Sequence, residues 1–333
     1  MKVGYAVLYT DGELVISKNH PLLQKKIIKD YGEFEDTNVP WEKESEQIEK
    51  VQILDQVKSN CMKEWFLNCI NLTTFIDFQK LDVSDCVNFS YMFSFCKSLQ
   101  NLNALKNWNV SNGDNFAFMF YNCNSLQDIN GLEKWNVSNG KNFSFMFKYC
   151  NSLQAINGLK KWNVSNGTDF AFMFYNCNSL QDINGLEEWN VSNGKDFGSM
   201  FYNCKSLQDI NALKNWNISN GIDFSRMFAY CETLQDINEL EKWNVSNGKD
   251  FISMFKYCKS LQNLNALKNW NVSNGMNFSF MFEYCILLKE ISLSNTLDIL
   301  KKEMFYQCNP NLKIHWKNHI YLYDDLLEYG KIY

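Results

Sequence analysis

The chain has 333 residues, 46% of them hydrophobic and 21% charged, a composition that supports a large buried core and argues against disorder. A formal net charge of -5 builds no basic stripe of the kind that neutralises phosphates, so nucleic acid is not an expected partner. With 26 Phe, 16 Tyr, 10 Trp and 12 Cys beside 3 Pro and 3 His, the sequence is rich in packing groups and poor in proton-transfer groups.

Residues 1–60 read as an N-terminal cap. The start, Met1 to Gly12, carries one lysine and a short apolar stretch with no small-residue cleavage site behind it, so no leader is read there. No run of about 18 apolar residues is present for a membrane span, and no cysteine precedes Cys61 to receive a lipid. Taken alone, these features predict a soluble chain that stays inside the cell. Val3 to Ser17 alternates around Asp11-Gly12, which predicts a β-hairpin. Leu22 to Tyr31 reads as a basic amphipathic helix and Val51 to Asp55 as a strand.

From residue 61 to 312 the sequence repeats with a period of 27. Cys69, Cys96, Cys123, Cys150, Cys177, Cys204, Cys231, Cys258 and Cys285 lie 27 apart, as do the tryptophans from Trp108 to Trp270. A Met-Phe pair recurs from Met92-Phe93 to Met281-Phe282 and again at Met304-Phe305 after a shortened step of 23, giving about ten coils. Within one coil Phe116, Met119, Phe120 and Cys123 stand at i, i+3, i+4 and i+7, the spacing of one face of a short helix. Ser111-Asn112-Gly113 before them supplies a cap and a turn, and Leu126 to Asn130 after them reads as a short strand. A single coil cannot bury its apolar face, so the coils must stack. The expected fold is an α/β repeat solenoid of strand, turn and short helix. Residues 313–333 are expected to close it, with a last strand over Asn311 to Trp316 and a capping helix over Tyr321 to Tyr333.

The repeated polar and reactive groups read as structural. The cysteines lack the two-to-four-residue spacing of metal ligands, and their side chains point the same way in adjacent coils, so a buried reduced series is expected. The tryptophans share the inward spacing of Leu132 and Val137 and read as core rather than as a stacking platform for sugars or bases. Asn-Val-Ser, a glycosylation acceptor by sequence, recurs too closely for glycans and reads as a turn series. His315 and His319 have the four-residue spacing of a helical metal pair, but the intervening Trp316-Lys317-Asn318 lacks an acidic partner and the segment reads as strand and turn. No metal, no cofactor and no catalytic constellation is expected. Lys106, Glu133, Lys160, Glu187, Lys214, Glu241 and Lys268 alternate in sign coil by coil, which predicts exposed ion pairs that fix the stacking register.

The phrase Met119-Phe120-Tyr121-Asn122-Cys123-Asn124-Ser125-Leu126, followed by Trp135-Asn136-Val137-Ser138-Asn139, resembles the repeats of the BspA-like leucine-rich repeat surface proteins. The resemblance spans residues 61 to about 312 and implies a right-handed, leucine-rich-repeat-like stack on a cell surface, engaged in adhesion to host or partner proteins. Two strips are candidate protein-binding faces: tyrosines beside the Met-Phe segment (Tyr121, Tyr149, Tyr175, Tyr202, Tyr257) and glutamines beside the strand leucines (Gln127, Gln154, Gln181, Gln208). The favoured function is a non-catalytic, adhesin-like protein-binding solenoid at the surface. An intracellular scaffold is the alternative, and the substrate-recognition part of an enzyme a distant third. The sequence names neither the partner nor an oligomeric state.

Overall fold

The computed structural model describes residues 1–298, 300–324 and 326, and divides into two compact units, Met1–Val164 and Ser165–Tyr333. In the first unit the expected hairpin forms, β1 (Lys2–Tyr9) lying antiparallel to β2 (Glu13–Ser17). Segment Leu22 to Tyr31 is not a helix. Its second half enters β3 (Ile27–Glu35), which pairs with the far edge of β1. A β-branched start, Ile27-Ile28, and Gly32 at φ 65 suit a bulged edge strand better than a helix, and the register shifts three times along the pair. On the other side of the hairpin, β4 (Lys50–Ile53) pairs parallel to β2, and β6 (Thr74–Ile76) pairs parallel to β4. The sheet order β3-β1-β2-β4-β6 thus joins the cap to the first coil of the array. A smaller parallel pair, β5 (Val57–Lys58) with β7 (Leu81–Asp82), continues the same step.

Beyond these strands the repeat corrects the expected strand and helix. No α-helix spans the Met-Phe segment in any described coil; the chain there is a run of linked turns. Phe116, Phe118, Phe120 and Asn122 donate their amides to Asn142, Ser144, Met146 and Lys148 of the next coil, at 2.9, 3.0, 2.9 and 2.7 Å. The residues between them close turns inside their own coil: Met119, Tyr121 and Cys123 donate to Phe116, Phe118 and Phe120. This alternation requires a left-handed backbone at every fourth residue, Phe118 at φ 59 and Asn122 at φ 61. The second unit repeats it, Phe224, Arg226, Phe228 and Tyr230 donating to the following coil with Arg226 at φ 54 and Tyr230 at φ 64. An α-helix would turn those donors along its own axis and leave successive coils unbonded. Four inter-coil bonds, each contributing about 1 kcal/mol, outweigh two left-handed residues at about 1–2 kcal/mol each once the ring stacking is added.

The expected strand at Leu126 to Asn130 appears only at the ends of the array, as β6 in the first unit and β8 (Glu290–Ser292) in the second. In between, the segment is extended, with single backbone bonds such as Gln154 to Gln127 and Gln208 to Gln181. One 3-10 turn follows it in several coils, as at Asn103–Leu105 and Asn211–Leu213. The second unit closes with β9 (Lys313–Trp316), parallel to β8, and β10 (His319–Leu322), antiparallel to β9. Tyr321 and Leu322 therefore belong to a strand and not to the expected capping helix, most of whose remaining residues lie outside those described.

The core is a set of aligned columns. Phe89, Phe116 and Phe143 stack at 5.3 and 5.5 Å, and Phe93, Phe120 and Phe147 at 5.6 and 5.4 Å. In the second unit Phe197, Phe224 and Phe251 stack at 5.8 and 5.5 Å. Phe116, Phe143, Phe197, Phe224 and Phe251 each lie under the glycine three residues before them: a methyl group built on Gly140 would run into Cζ of Phe143. Gly140→Ala is therefore expected to destabilise the protein by about 2 kcal/mol, within the range for overpacking a close-packed core. Urea denaturation measures it, and a loss below about 0.5 kcal/mol would show that the ring has room to move.

Candidate functional site

The repeated groups with chemical potential are mostly structural. Eleven of the twelve cysteines are buried and all are free. Cys123 donates its thiol to the carbonyl of Phe93 at 3.2 Å, and Cys204, Cys231 and Cys258 make the same bond to Phe174, Phe201 and Phe228. Burial pushes the thiols of Cys150 and Cys231 up to about 12, the direction that makes a cysteine inert. The tryptophans are buried as well. The indole of Trp135 donates to the carbonyl of Leu105 at 3.0 Å and that of Trp243 to Leu213 at 3.0 Å, so their faces are closed to sugars or bases. His315 meets Glu290 at 2.6 Å and His319 lies 2.9 Å from the carbonyl of Lys317, so the two are not joined. Among the described residues no group of three or more His, Cys, Asp or Glu is placed to hold a metal.

The alternating charges do not pair as expected. The carboxylate of Glu133 turns back to accept from Gly131 N–H at 2.8 Å, and that of Glu187 from Gly185 N–H at 2.7 Å. Lys214 reaches Glu239 at 3.3 Å rather than Glu241. Gly131 and Gly185 hold φ values of 105 and 113, and the returning carboxylate closes those tight turns instead of fixing the register.

Register is fixed by another column, the residue before the first ring of each coil. Asn88, Asn115 and Asn142 in the first unit form successive parallel bridges, as do Asp169, Asp196, Asp223 and Asp250 in the second. Each side chain accepts from the amide two residues on, as Asn115 from Ala117 at 3.1 Å and Asp196 from Gly198 at 2.9 Å. In the second unit this stacks carboxylates directly over one another. Burial first, then the neighbouring Asp223 and Asp169, push the Asp196 carboxyl up to about 6 against the pull of the Gly198 amide.

Two strips remain outside the core, an exposed one of glutamines and a half-buried one of tyrosines. The glutamines Gln127, Gln154, Gln181 and Gln208 all face solvent. The tyrosines fall at two adjacent positions of the repeat: Tyr121, Tyr175 and Tyr202 at one, Tyr149 and Tyr257 at the next. In the second unit the structure brings them into a single column that the sequence reading missed in part. Tyr175 stacks on Tyr202 at 4.4 Å, Tyr202 meets Tyr230 at 5.1 Å, Tyr230 stacks on Tyr257 at 4.6 Å, and Tyr257 on Tyr284 at 4.2 Å. The column steps from one position to the other between Tyr202 and Tyr230, and the 28-residue spacing there is the signal that could have revealed Tyr230 and Tyr284. In the first unit Phe95, Tyr121 and Tyr149 meet edge to face at 5.1 and 5.7 Å. Lys256 and Lys259 lie 5.8 and 5.5 Å from the Tyr257 ring, and Arg226 is exposed. Burial, followed by Tyr175 and Tyr230, raises the Tyr202 phenol to about 12.

A family model described as "Mycoplasma protein of unknown function, DUF285" matches residues 38–156, 100–210, 128–238 and 209–316. The chain belongs to this family. The repeated match along the array agrees with the BspA-like resemblance of the Met-Phe-x-x-Cys motif. Among solved structures, the chain is similar to a leucine rich cell surface protein from Faecalibacterium prausnitzii A2-165, with 16% identity, 95% of this chain and 94% of that one covered, and a TM-score of 0.43. It is also similar to a leucine-rich repeat protein from Bacteroides ovatus, with 14% identity, 95% and 98% coverage and a TM-score of 0.29. No curated protein matches it.

The Asp196 column yields a pH test. A carboxyl raised from 3.8 to about 6 by folding contributes stability only while protonated; that contribution is lost as pH climbs from about 4 through 6, and at pH 7 the charge is a standing cost. Asp196→Asn keeps the acceptor for Gly198 and matches the asparagines of the first unit. It is expected to stabilise the protein by about 1–2 kcal/mol at pH 7, the full shift discounted for partial exposure, and by nothing below about pH 4. A destabilised variant at pH 7 would mean that the carboxylate has a compensating partner.

Proposed function

We propose that this family member is a non-catalytic, protein-binding repeat array that works at the cell surface as an adhesin-like module. Its binding face is the tyrosine ridge Tyr175, Tyr202, Tyr230, Tyr257 and Tyr284. The observation that carries this reading is how the ridge spends its rings. The five half-buried tyrosines make four neighbouring pairs, three stacked and one tilted, so much of their ring-face area is already spent within the protein. Electropositive edges and phenol hydroxyls suit the carbonyls and carboxylates of a polypeptide, whereas sugars and bases need open ring faces. Tyrosine immobilises little entropy on binding and is enriched where proteins meet. Arg226 on the same strip is exposed and adds a donor, whereas Lys256 and Lys259 are paired with Glu283 and Glu232.

Surface location rests on the motif resemblance to BspA-like proteins. The free, buried thiols favour a second reading, an intracellular scaffold that uses the same ridge. Antibody labelling of native cells separates the two: signal on intact cells supports the surface module, and signal only after lysis supports the scaffold. For the ridge, Tyr202→Ala together with Tyr230→Ala is expected to weaken retention of a protease-sensitive partner by the immobilised chain at least about tenfold, the loss of one or two hot-spot side chains. Unchanged retention would move the binding face to the glutamine strip.

A further inference from the structure

The repeat contains ten Asn-Gly dipeptides, and the structure sorts them into three environments. Seven belong to the Ser-Asn-Gly turns. In six of these, at Asn112, Asn139, Asn193, Asn220, Asn247 and Asn274, the asparagine carboxamide is tied to the preceding coil, Asn139 Nδ2 donating to the carbonyl of Ser111 at 2.7 Å and Asn220 Nδ2 to that of Ser192 at 2.7 Å. The glycine amide is tied as well, Gly140 to Val137 and Gly221 to Ile218, each at 2.8 Å. The glycine is imposed by the phenylalanine packed against it, so the fold demands this dipeptide and then holds both of its reactive groups. The other three sit after the extended segment. At Asn130-Gly131 and Asn184-Gly185 the asparagine is exposed, while the glycine amide donates to Glu133 or Glu187. At Asn157-Gly158 neither group is held. Asn157 is exposed, no hydrogen bond engages its carboxamide or the Gly158 amide among the described residues, and the backbone is held by a 3-10 turn over Asn157–Leu159 and by the packing of the buried Gly158 on the Ile129 carbonyl.

Asn-Gly is the dipeptide in which the following amide most readily attacks the side chain, because glycine carries no Cβ to hinder the approach. The Gly158 nitrogen, deprotonated by base, forms a bond to Cγ of Asn157. The carboxamide nitrogen leaves as ammonia, taking up the proton, and a five-membered succinimide results. Water then opens either of its two carbonyl–nitrogen bonds, giving aspartate or, with the backbone rerouted through the side chain, isoaspartate. A bound amide N–H resists deprotonation, and a tethered carboxamide cannot swing onto the next nitrogen, so the reaction in a held turn must wait for that turn to open.

We propose that Asn157-Gly158 is a modification site at which the folded protein deamidates spontaneously, while the coil-to-coil bonds keep the six tied Ser-Asn-Gly turns intact. The product carries a new negative charge three residues from Gln154 and so alters the exposed glutamine strip. In purified protein held folded in mildly alkaline buffer, peptide mapping should find aspartate and isoaspartate at position 157 accumulating at least about tenfold faster than at the six held turns, with Asn130 and Asn184 between. In urea all ten should converge to similar rates. Asn157→Gln, made on an exposed side chain that no hydrogen bond engages, should leave position 157 unconverted while circular dichroism stays unchanged. Equal rates at Asn157 and at the held turns of the folded protein, or an intact Asn157 beside reacting turns, would overturn the proposal.

Discussion

In each coil the amides of alternate residues through the Met-Phe segment reach out to the next coil, and everything else in the repeat follows from keeping those bonds. The residues between them must close turns of three, which forces two left-handed residues per coil, positions such as Phe118 and Asn122 that carry no glycine. That backbone is stable only because the rings of one coil lie flat on those of the next. The cost of left-handed phenylalanine and tyrosine is met by stacking, and the stacking is in turn positioned by the left-handed turn. Neither half stands alone, which explains why the sequence varies so little between coils.

The same constraint decides what can serve as a binding surface. Side chains that complete inter-coil columns on the inside, the phenylalanines, tryptophans and thiols, are consumed by the fold. The left-handed position and the residue before it point partly outward, and there the repeat tolerates Tyr, Asn, Lys, Ala and Glu in turn. Ring stacking at these positions builds the tyrosine ridge without asking for any new backbone feature. Function, on this reading, occupies the one column that the core does not need.

Much of this was legible in the sequence because identical spacing in every coil can only mean identical placement. The buried series of Cys123 and Trp135 and the turn role of Asn136-Val137-Ser138 followed from the period alone. Helical spacing misled at Phe116, Met119, Phe120 and Cys123, because a chain of turns closed at three residues also brings i, i+3, i+4 and i+7 to one side. No propensity rule points to left-handed phenylalanine, so the alternative was invisible. Lys and Glu at corresponding positions suggested pairing, yet the shorter path for Glu133 was back to Gly131 in its own turn. Ile27-Ile28 became an edge strand because the β1 edge was open beside it, a tertiary fact with no local signature.

Native-state hydrogen exchange followed residue by residue tests the central claim most directly. The inter-coil bonds predict that the amides of Phe116, Phe118, Phe120 and Asn122, and their counterparts Phe224, Arg226, Phe228 and Tyr230, are strongly protected even though their coils contain no helix or strand there. Protection confined to the turn-closing amides of Met119, Tyr121 and Cys123, with the outward-reaching amides exchanging freely, would contradict the account and return the segment to a locally bonded helix.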